Sequence, residues 1–269
     1  MHKLSRCVRF SINPFLAKDD EGFNSYASKP TSEGLAIFLE IGVELVGRTE
    51  PATGFVVNVI DIDETVRKYV VPIFAERIKK SFRQYKYIGL SDMTELLKSA
   101  WRQLADKFGE AKLKELSLAL NPFRKIAIDC EDSKMFYFSE KFEFAATHRL
   151  WNDNFSDKRN FEVFGKCANP AGHGHNYIVE VTIKAPLDKE LCIGDIERII
   201  DGELISLLDH KNLNAEIAEF GKINPTVENI AVFAWDKLSG RFGSAVLHCV
   251  TVRETDRTSC SYYGGKKDL

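Results

Sequence analysis

At 269 residues the chain is long enough for two domains of ordinary size, each able to bury a core. Hydrophobic residues at 44%, charged residues at 28% and a net charge of −2 describe a globular chain with no basic footprint for nucleic acid. The opening MHKLSRCVRFSINPF lacks the apolar core of a secretory signal, and no run of about 18 apolar residues occurs, so a cytoplasmic protein with no membrane partner is expected.

The first half is read through the second. Phe10, Asp61-Ile62, Trp101, Phe108 and Leu113 recur 134 residues later as Phe144, Asp195-Ile196, Trp235, Phe242 and Leu247. One offset shared with one order of elements predicts a tandem duplication, with domains over 1–132 and 133–269 linked around 130–133. In the second half, 136–148 is aromatic and near-alternating and predicts a strand; 151–172, rich in Asn, Asp, Gly and Pro, predicts a long loop; and 177–184 predicts a second strand. From Asp195, taken as an N-cap, the stripe Ile196, Ile199, Ile200, Leu204, Leu207 and Leu208 predicts a helix despite Gly202. A second helix follows 224–226 with the stripe Val227, Ile230, Ala231, Ala234 and Leu238. Strands over 245–254 and 258–263 close the chain.

The six cysteines are irregularly spaced and do not form a disulfide framework; most are expected to be buried, reduced thiols, Cys192, Cys249 and Cys260 among them. Trp101 and Trp235 are expected in the core. His2, near the terminus, and His248, within a strand, are read as ordinary residues.

Chemistry concentrates in FGKCANPAGHGHNY, 164–177. Histidines two apart on an extended segment project to one side, so His173 and His175 can present two imidazoles to one ion, or they can belong to a solvated polar loop. His148, at the end of the preceding strand, is the third histidine within reach; three neutral imidazoles leave the fourth tetrahedral position open, which is a catalytic geometry. Cys167 can be a ligand or a nearby thiol acting as base. Asp209-His210 offers a carboxylate that can orient an imidazole, or a polar helix end. Glu254, ending VTVRETD, can accept two N–H groups from a guanidine-like heterocycle edge, or be a solvated charge.

Together FEFAATHRL, FGKCANPAGHGHNYIVEVTI, LDHKNLN, NPTVENIAVFAW and VTVRETD resemble the 6-pyruvoyl-tetrahydropterin synthase family, which includes the 6-carboxytetrahydropterin synthases. The resemblance implies an α+β tunnelling fold, an antiparallel four-stranded sheet with two helices on one face, assembling into barrels as a homo-oligomer. It implies zinc held by His148, His173 and His175, Cys167 as general base, Asp209 and His210 completing a proton relay, and Glu254 with Thr226, and more weakly Glu228, holding the pterin; Val227 departs from the second threonine of some relatives. The implied reaction is zinc-assisted loss of triphosphate from 7,8-dihydroneopterin triphosphate. The carboxytetrahydropterin branch, which releases acetaldehyde, usually carries Cys-x3-His-x-His; the Cys-x5-His spacing here favours the pyruvoyl branch. A metal- and pterin-binding protein without turnover is the alternative from another class. At the constant offset Pro14, Ala75-Glu76, Asp92 and Leu120 replace His148, Asp209-His210, Thr226 and Glu254, so the first copy is expected to be inert. Because the resemblance places the Asp-His pair in a neighbouring copy, second halves are expected to meet second halves, most simply in a trimer.

Overall fold

The computed structural model describes residues 1–16, 23–24, 29–30, 35–132 and 134–265. It divides into two compact units, Met1–Phe138 with Ala185–Cys192, and Ser139–Lys184 with Ile193–Leu269. Of the expected linker, Cys130–Asp132 forms a 3₁₀ turn, and Ser133 lies outside the described residues. Among the described residues, no helix is long and apolar enough to cross a membrane.

In the first unit β1 (His2–Ile12) takes up the N-terminal segment, His2 included. The two-residue strands β2 (Phe23–Asn24) and β3 (Lys29–Pro30) pair with each other. β1 pairs antiparallel with β4 (Ile37–Gly47), β4 with β5 (Lys112–Ala119), and β5 with β6 (Arg124–Asp129). Three helices, α1 (Val59–Tyr69), α2 (Val71–Arg83) and α3 (Leu90–Leu104), fill the connection from β4 to β5. Val8, Phe10 and Ile12 of β1 and Leu39, Ile41, Val43 and Leu45 of β4 are buried at every second position, as a strand with one covered face requires. The helices answer with Ile62 and Val66, Phe74 and Ile78, and Leu97, Ala100 and Leu104. Arg6 shares the face of Val8 and donates to Asp63 of α1 through Nε at 2.8 Å and Nη2 at 2.6 Å. This fork closes over a carboxylate that is almost wholly buried, and it ties β1 to α1.

The second unit repeats the element order. β7 (Met135–His148), β8 (His173–Pro186), β10 (Val246–Thr255) and β11 (Thr258–Tyr262) are neighbours in that order, and the short β9 (Lys211–Asn212) runs parallel to the end of β7. Between β8 and β10 lie α5 (Ile193–Ile200), a wide π turn (Asp201–Ile205), α6 (Ser206–Leu208), α7 (Leu213–Glu216) and α8 (Val227–Leu238). Gly202 falls in the π turn, where its weak helix preference lets the turn widen while Leu204 and Leu208 stay buried. Tyr177, Val179, Val181 and Ile183 bury one face of β8, and Ile230, Ala231, Ala234 and Leu238 bury the stripe of α8 that packs on β10 and β11. The class is α+β, as expected.

Several expectations need correction. The span 151–172 holds a helix, α4 (Asp157–Phe164), capped by Ser156, whose hydroxyl accepts from the Arg159 amide. It is held by buried Asn160, which bonds the backbone of Asn152, rather than by an apolar stripe that periodicity could reveal. Asp195 is in the first turn of α5, paired with Arg198, not its N-cap. β8 begins at His173, so the histidine pair belongs to a strand rather than a loop. Of the cysteines only Cys249 is buried; Cys7, Cys130 and Cys192 are exposed, and Cys167 and Cys260 half-buried. Cys7 is exposed because it alternates with inward Val8. Trp101 and Trp235 are half-buried, and Trp235 meets Tyr262 edge-on at 5.6 Å.

Removing one partner of a buried ion pair strands the other, whereas a surface pair contributes little. Asp63→Ala should therefore lower unfolding stability by about 3 kcal/mol, against about 1 kcal/mol or less for Glu40→Ala at the exposed Arg9 pair, both read by denaturant titration.

Candidate functional site

Strand alternation assembles the site. His148 continues the buried face of Phe144 and Ala146 to the end of β7, and His173 and His175 continue the face of Tyr177 and Val179 to the start of β8. Gly172 makes the approach possible: its φ is +68°, and a Cβ there would stand 2.9 Å from the His148 carbonyl oxygen. Glu254 arrives from the end of β10, on the side of buried Val250 and Val252.

The four side chains converge. His148 Nε2 lies 2.9 Å from His173 Nε2 and 3.4 Å from Glu254 Oε1, and His175 Nε2 lies 3.3 Å from the same oxygen. One donor atom from each residue falls within 4.8 Å of all the others. His148 Nδ1 donates to the Pro225 carbonyl at 2.8 Å; a carbonyl only accepts, so the proton is on Nδ1 and Nε2 turns a lone pair inward. Burial, together with the neighbouring imidazoles, holds His148 and His173 below the ordinary imidazole value, so both favour the neutral form that ligates. His173 Nδ1 and His175 Nε2 are buried without hydrogen-bond partners among the described residues. The orphaned His175 Nε2 facing the Glu254 carboxylate is what a divalent cation would satisfy, and the donor set of three imidazoles and a carboxylate fits one. Burial and Glu254 push the Tyr177 phenol well up, so it stays a neutral hydroxyl, 3.4 Å from His148 Nδ1.

The other expected residues lie apart from this cluster. Cys167 is on the 3₁₀ turn Gly165–Ala168, its carbonyl accepting from the Leu150 amide. Burial first, then the charge of Glu254, push its thiol up. Asp209 follows α6: one oxygen accepts from the Ala145 amide at 2.9 Å and the other pairs with His210 Nδ1 at 2.8 Å. These partners hold the Asp209 carboxyl below the usual carboxylate range, the Ala145 amide contributing most. His210 also donates its amide to the Ala145 carbonyl, takes φ +58°, and leaves its side chain 83% exposed. It lines a cavity of about 630 Å³ with Thr147, Gly174, His175 and Asn176. Thr226 is the N-cap of α8, its hydroxyl accepting from Asn229. Glu228 is exposed in the first turn of that helix.

Two contributors were not foreseen. The Pro225 carbonyl sets the tautomer of His148, and Glu254 joins the imidazoles themselves. NPT marked a helix start, but a role carried by a main-chain carbonyl leaves no side-chain signature.

A family model described as 6-pyruvoyl tetrahydropterin synthase matches residues 137–265. The human 6-pyruvoyl tetrahydrobiopterin synthase is 38% identical over 130 residues, 47% of this chain and 90% of the human protein. The Dictyostelium discoideum 6-pyruvoyl tetrahydrobiopterin synthase is 34% identical over 125 residues, 45% of this chain and 90% of its own. The solved structure of Caenorhabditis elegans 6-pyruvoyl tetrahydropterin synthase aligns at 29% identity and a TM-score of 0.45, covering 49% of this chain and 96% of that one.

A raised thiol pKa means that the reactive thiolate keeps growing above the ordinary thiol value. Alkylation of Cys167 by iodoacetamide in the metal-free protein, followed by peptide mass spectrometry, should still be accelerating with pH where alkylation of free N-acetylcysteine has levelled off.

Proposed function

The chain belongs to the 6-pyruvoyl tetrahydropterin synthase family through its second half, and from that premise we propose that it is a zinc-dependent lyase releasing triphosphate from 7,8-dihydroneopterin triphosphate to give 6-pyruvoyl-tetrahydropterin. The observation that carries this reading is the convergence of His148, His173, His175 and Glu254, with imidazole nitrogens buried and unpartnered. When bound there, zinc supplies a Lewis acid that makes the substrate's side-chain hydroxyls and adjacent C–H bonds more acidic. The Pro225 carbonyl keeps Nδ1 of His148 protonated and its Nε2 lone pair available. Cys167 is the base: as thiolate its Sγ moves the C1′ proton towards the ring, so that the C1′ carbinol is oxidised to a ketone as the dihydropterin is reduced, and then takes the C2′ proton, whose electrons expel triphosphate and leave the enol of the pyruvoyl group. Asp209 holds Nδ1 of His210, so that the free Nε2 exchanges a proton with Cys167. Glu254 and Thr226 receive the pterin ring.

The first unit is read as a duplicated copy without the site. Second units meet second units, most simply three chains forming a barrel, with Asp209 and His210 of one chain serving Cys167 of the next. The pyruvoyl product is preferred over the carboxytetrahydropterin product because five residues lie between Cys167 and His173, giving Cys-x5-His. The reaction belongs in the cytoplasm.

Incubation with 7,8-dihydroneopterin triphosphate should yield 6-pyruvoyl-tetrahydropterin by mass spectrometry; 6-carboxytetrahydropterin and acetaldehyde would assign the other branch, and substrate bound but unchanged would make this a binding protein. Cys167→Ala should lower kcat by about 10²–10⁴. Mixing Cys167→Ala with His210→Ala under conditions that exchange subunits should restore part of the activity, because some mixed interfaces regain both groups; no recovery would refute the shared site.

A further inference from the structure

We infer that Arg149 is a positioning residue for the proposed base: laid against the face of Trp151, its guanidinium holds the turn that carries Cys167. The inference rests on the lyase reading above and deepens it.

The turn Gly165–Ala168 needs a hold from outside itself. A single 3₁₀ turn of four residues has weak hydrogen-bond geometry of its own, and this one lies between α4 and β8 with no place in the sheet. Two successive carbonyls of the turn are taken by two successive residues leaving β7. The Leu150 amide donates to the Cys167 carbonyl at 2.9 Å, and Arg149 Nε donates to the Ala168 carbonyl at 3.0 Å. Ala168 is fully buried, so water does not compete for its carbonyl. The backbone of Cys167 is thus clasped at its own carbonyl and at the next.

The Arg149 side chain is fixed before it donates. Its Cζ stands 3.8 Å from the centroid of the Trp151 ring, where a planar guanidinium gains from stacking and from cation–π attraction. The Asn214 side-chain amide brackets the Arg149 backbone, accepting from its N–H at 2.7 Å and donating to its carbonyl at 3.0 Å. Trp151 is held through its own amide by Asn224 Oδ1 at 2.8 Å, and its ring meets Phe161 of α4 edge-on at 6.3 Å. Among the described residues Arg149 makes no ion pair, so its bond to Ala168 joins a cation to a neutral oxygen and has the strength of a charge-assisted one.

What matters on this reading is shape rather than charge. A lysine at 149 would keep the charge but has neither the planar face nor an N–H fixed at that point of the side chain. Release of the turn would let the thiol drift from the proton it takes, and a displacement of about 1 Å can cost roughly 10² in rate. Pterin binding, assigned above to Glu254 and Thr226, is not expected to change.

The test uses the purified full chain loaded with zinc. Arg149→Lys should lower kcat for 7,8-dihydroneopterin triphosphate roughly 10²-fold, with KM within about twofold of the parent. At one fixed pH, iodoacetamide should alkylate Cys167 at least about threefold faster in this variant, read by peptide mass spectrometry, with exposed Cys130 as the unchanged reference. Circular dichroism and zinc content should match the parent. Trp151→Leu should move kcat and alkylation the same way, and Trp151→Phe, which keeps a ring face, should recover most of both. Parent-like kcat and parent-like Cys167 alkylation in Arg149→Lys would overturn the inference. So would a raised KM with kcat intact, the mark of a charge that meets the triphosphate instead. Faster Cys167 alkylation in Arg149→Lys and Trp151→Leu, in a chain that does not convert 7,8-dihydroneopterin triphosphate, would overturn the lyase reading and leave the hold on the turn intact.

Discussion

The hydrogen bond from His148 Nδ1 to the Pro225 carbonyl is the constraint on which the site depends. It joins the end of β7 to the start of α8 and fixes which nitrogen of His148 faces inward. The helix cap serves the same end. Thr226 closes the first turn of α8 through the Asn229 amide, and Asn229 reaches back to the Asn224 carbonyl, so the segment carrying the Pro225 carbonyl is held on both sides. Asn224 in turn accepts from the Trp151 amide and steadies the chain leaving β7. Capping, usually a matter of helix stability, here also orients an imidazole.

The first unit shows what the same order of elements does without that constraint. Among the described residues of the first unit, the offset positions differ in backbone as well as in side chain. Ala75 and Glu76, at the positions offset from Asp209 and His210, lie inside the continuous helix α2, where no left-handed turn presents a side chain. Asp92, offset from Thr226, is not the N-cap but the third residue of α3: its carboxylate accepts from the amide of the N-cap Gly89 and pairs with Arg77. Its polar chemistry is spent on structure, as is that of Arg6 and Asp63.

What was legible in the sequence follows from where the information lies. The strands of the second half were visible because each has one buried face, which writes a period of two into 136–148 and 177–184. The helix α8 was visible from its stripe and from NPT. The histidines could be grouped because strand geometry places residues two apart on one side. The helix α4 was not visible, since DKRNFEVF has no apolar stripe and is anchored through the buried amide of Asn160. Nor was the position of Glu254 beside the imidazoles, because a strand-end carboxylate has the same sequence appearance whether it meets solvent, a heterocycle or a metal. Cysteine burial was overestimated because frequency rules ignore the parity of a strand, and Cys7 has the outward parity.

The distribution of protonation equilibria explains why one chain would not complete the proposed relay. A thiol held high by burial and by Glu254 is a poor base until a proton acceptor or a cation favours its thiolate. The acceptor exists in the chain, but its ring is turned outward: His210 has a largely exposed side chain, and its left-handed backbone is clamped by the Ala145 carbonyl. A residue without a glycine's freedom carries a conformational cost at such a φ, and that cost is understandable where the turn aims an imidazole. Asp209 has its own orientation fixed by the Ala145 amide, so the pair is rigid before any partner arrives. The shared-site proposal would join this outward-facing Asp-His pair to a half-buried thiol of another copy. On that proposal, His210 of a neighbouring copy would lower the Cys167 pKa by giving its thiolate an imidazolium partner, against the burial that holds the thiol up.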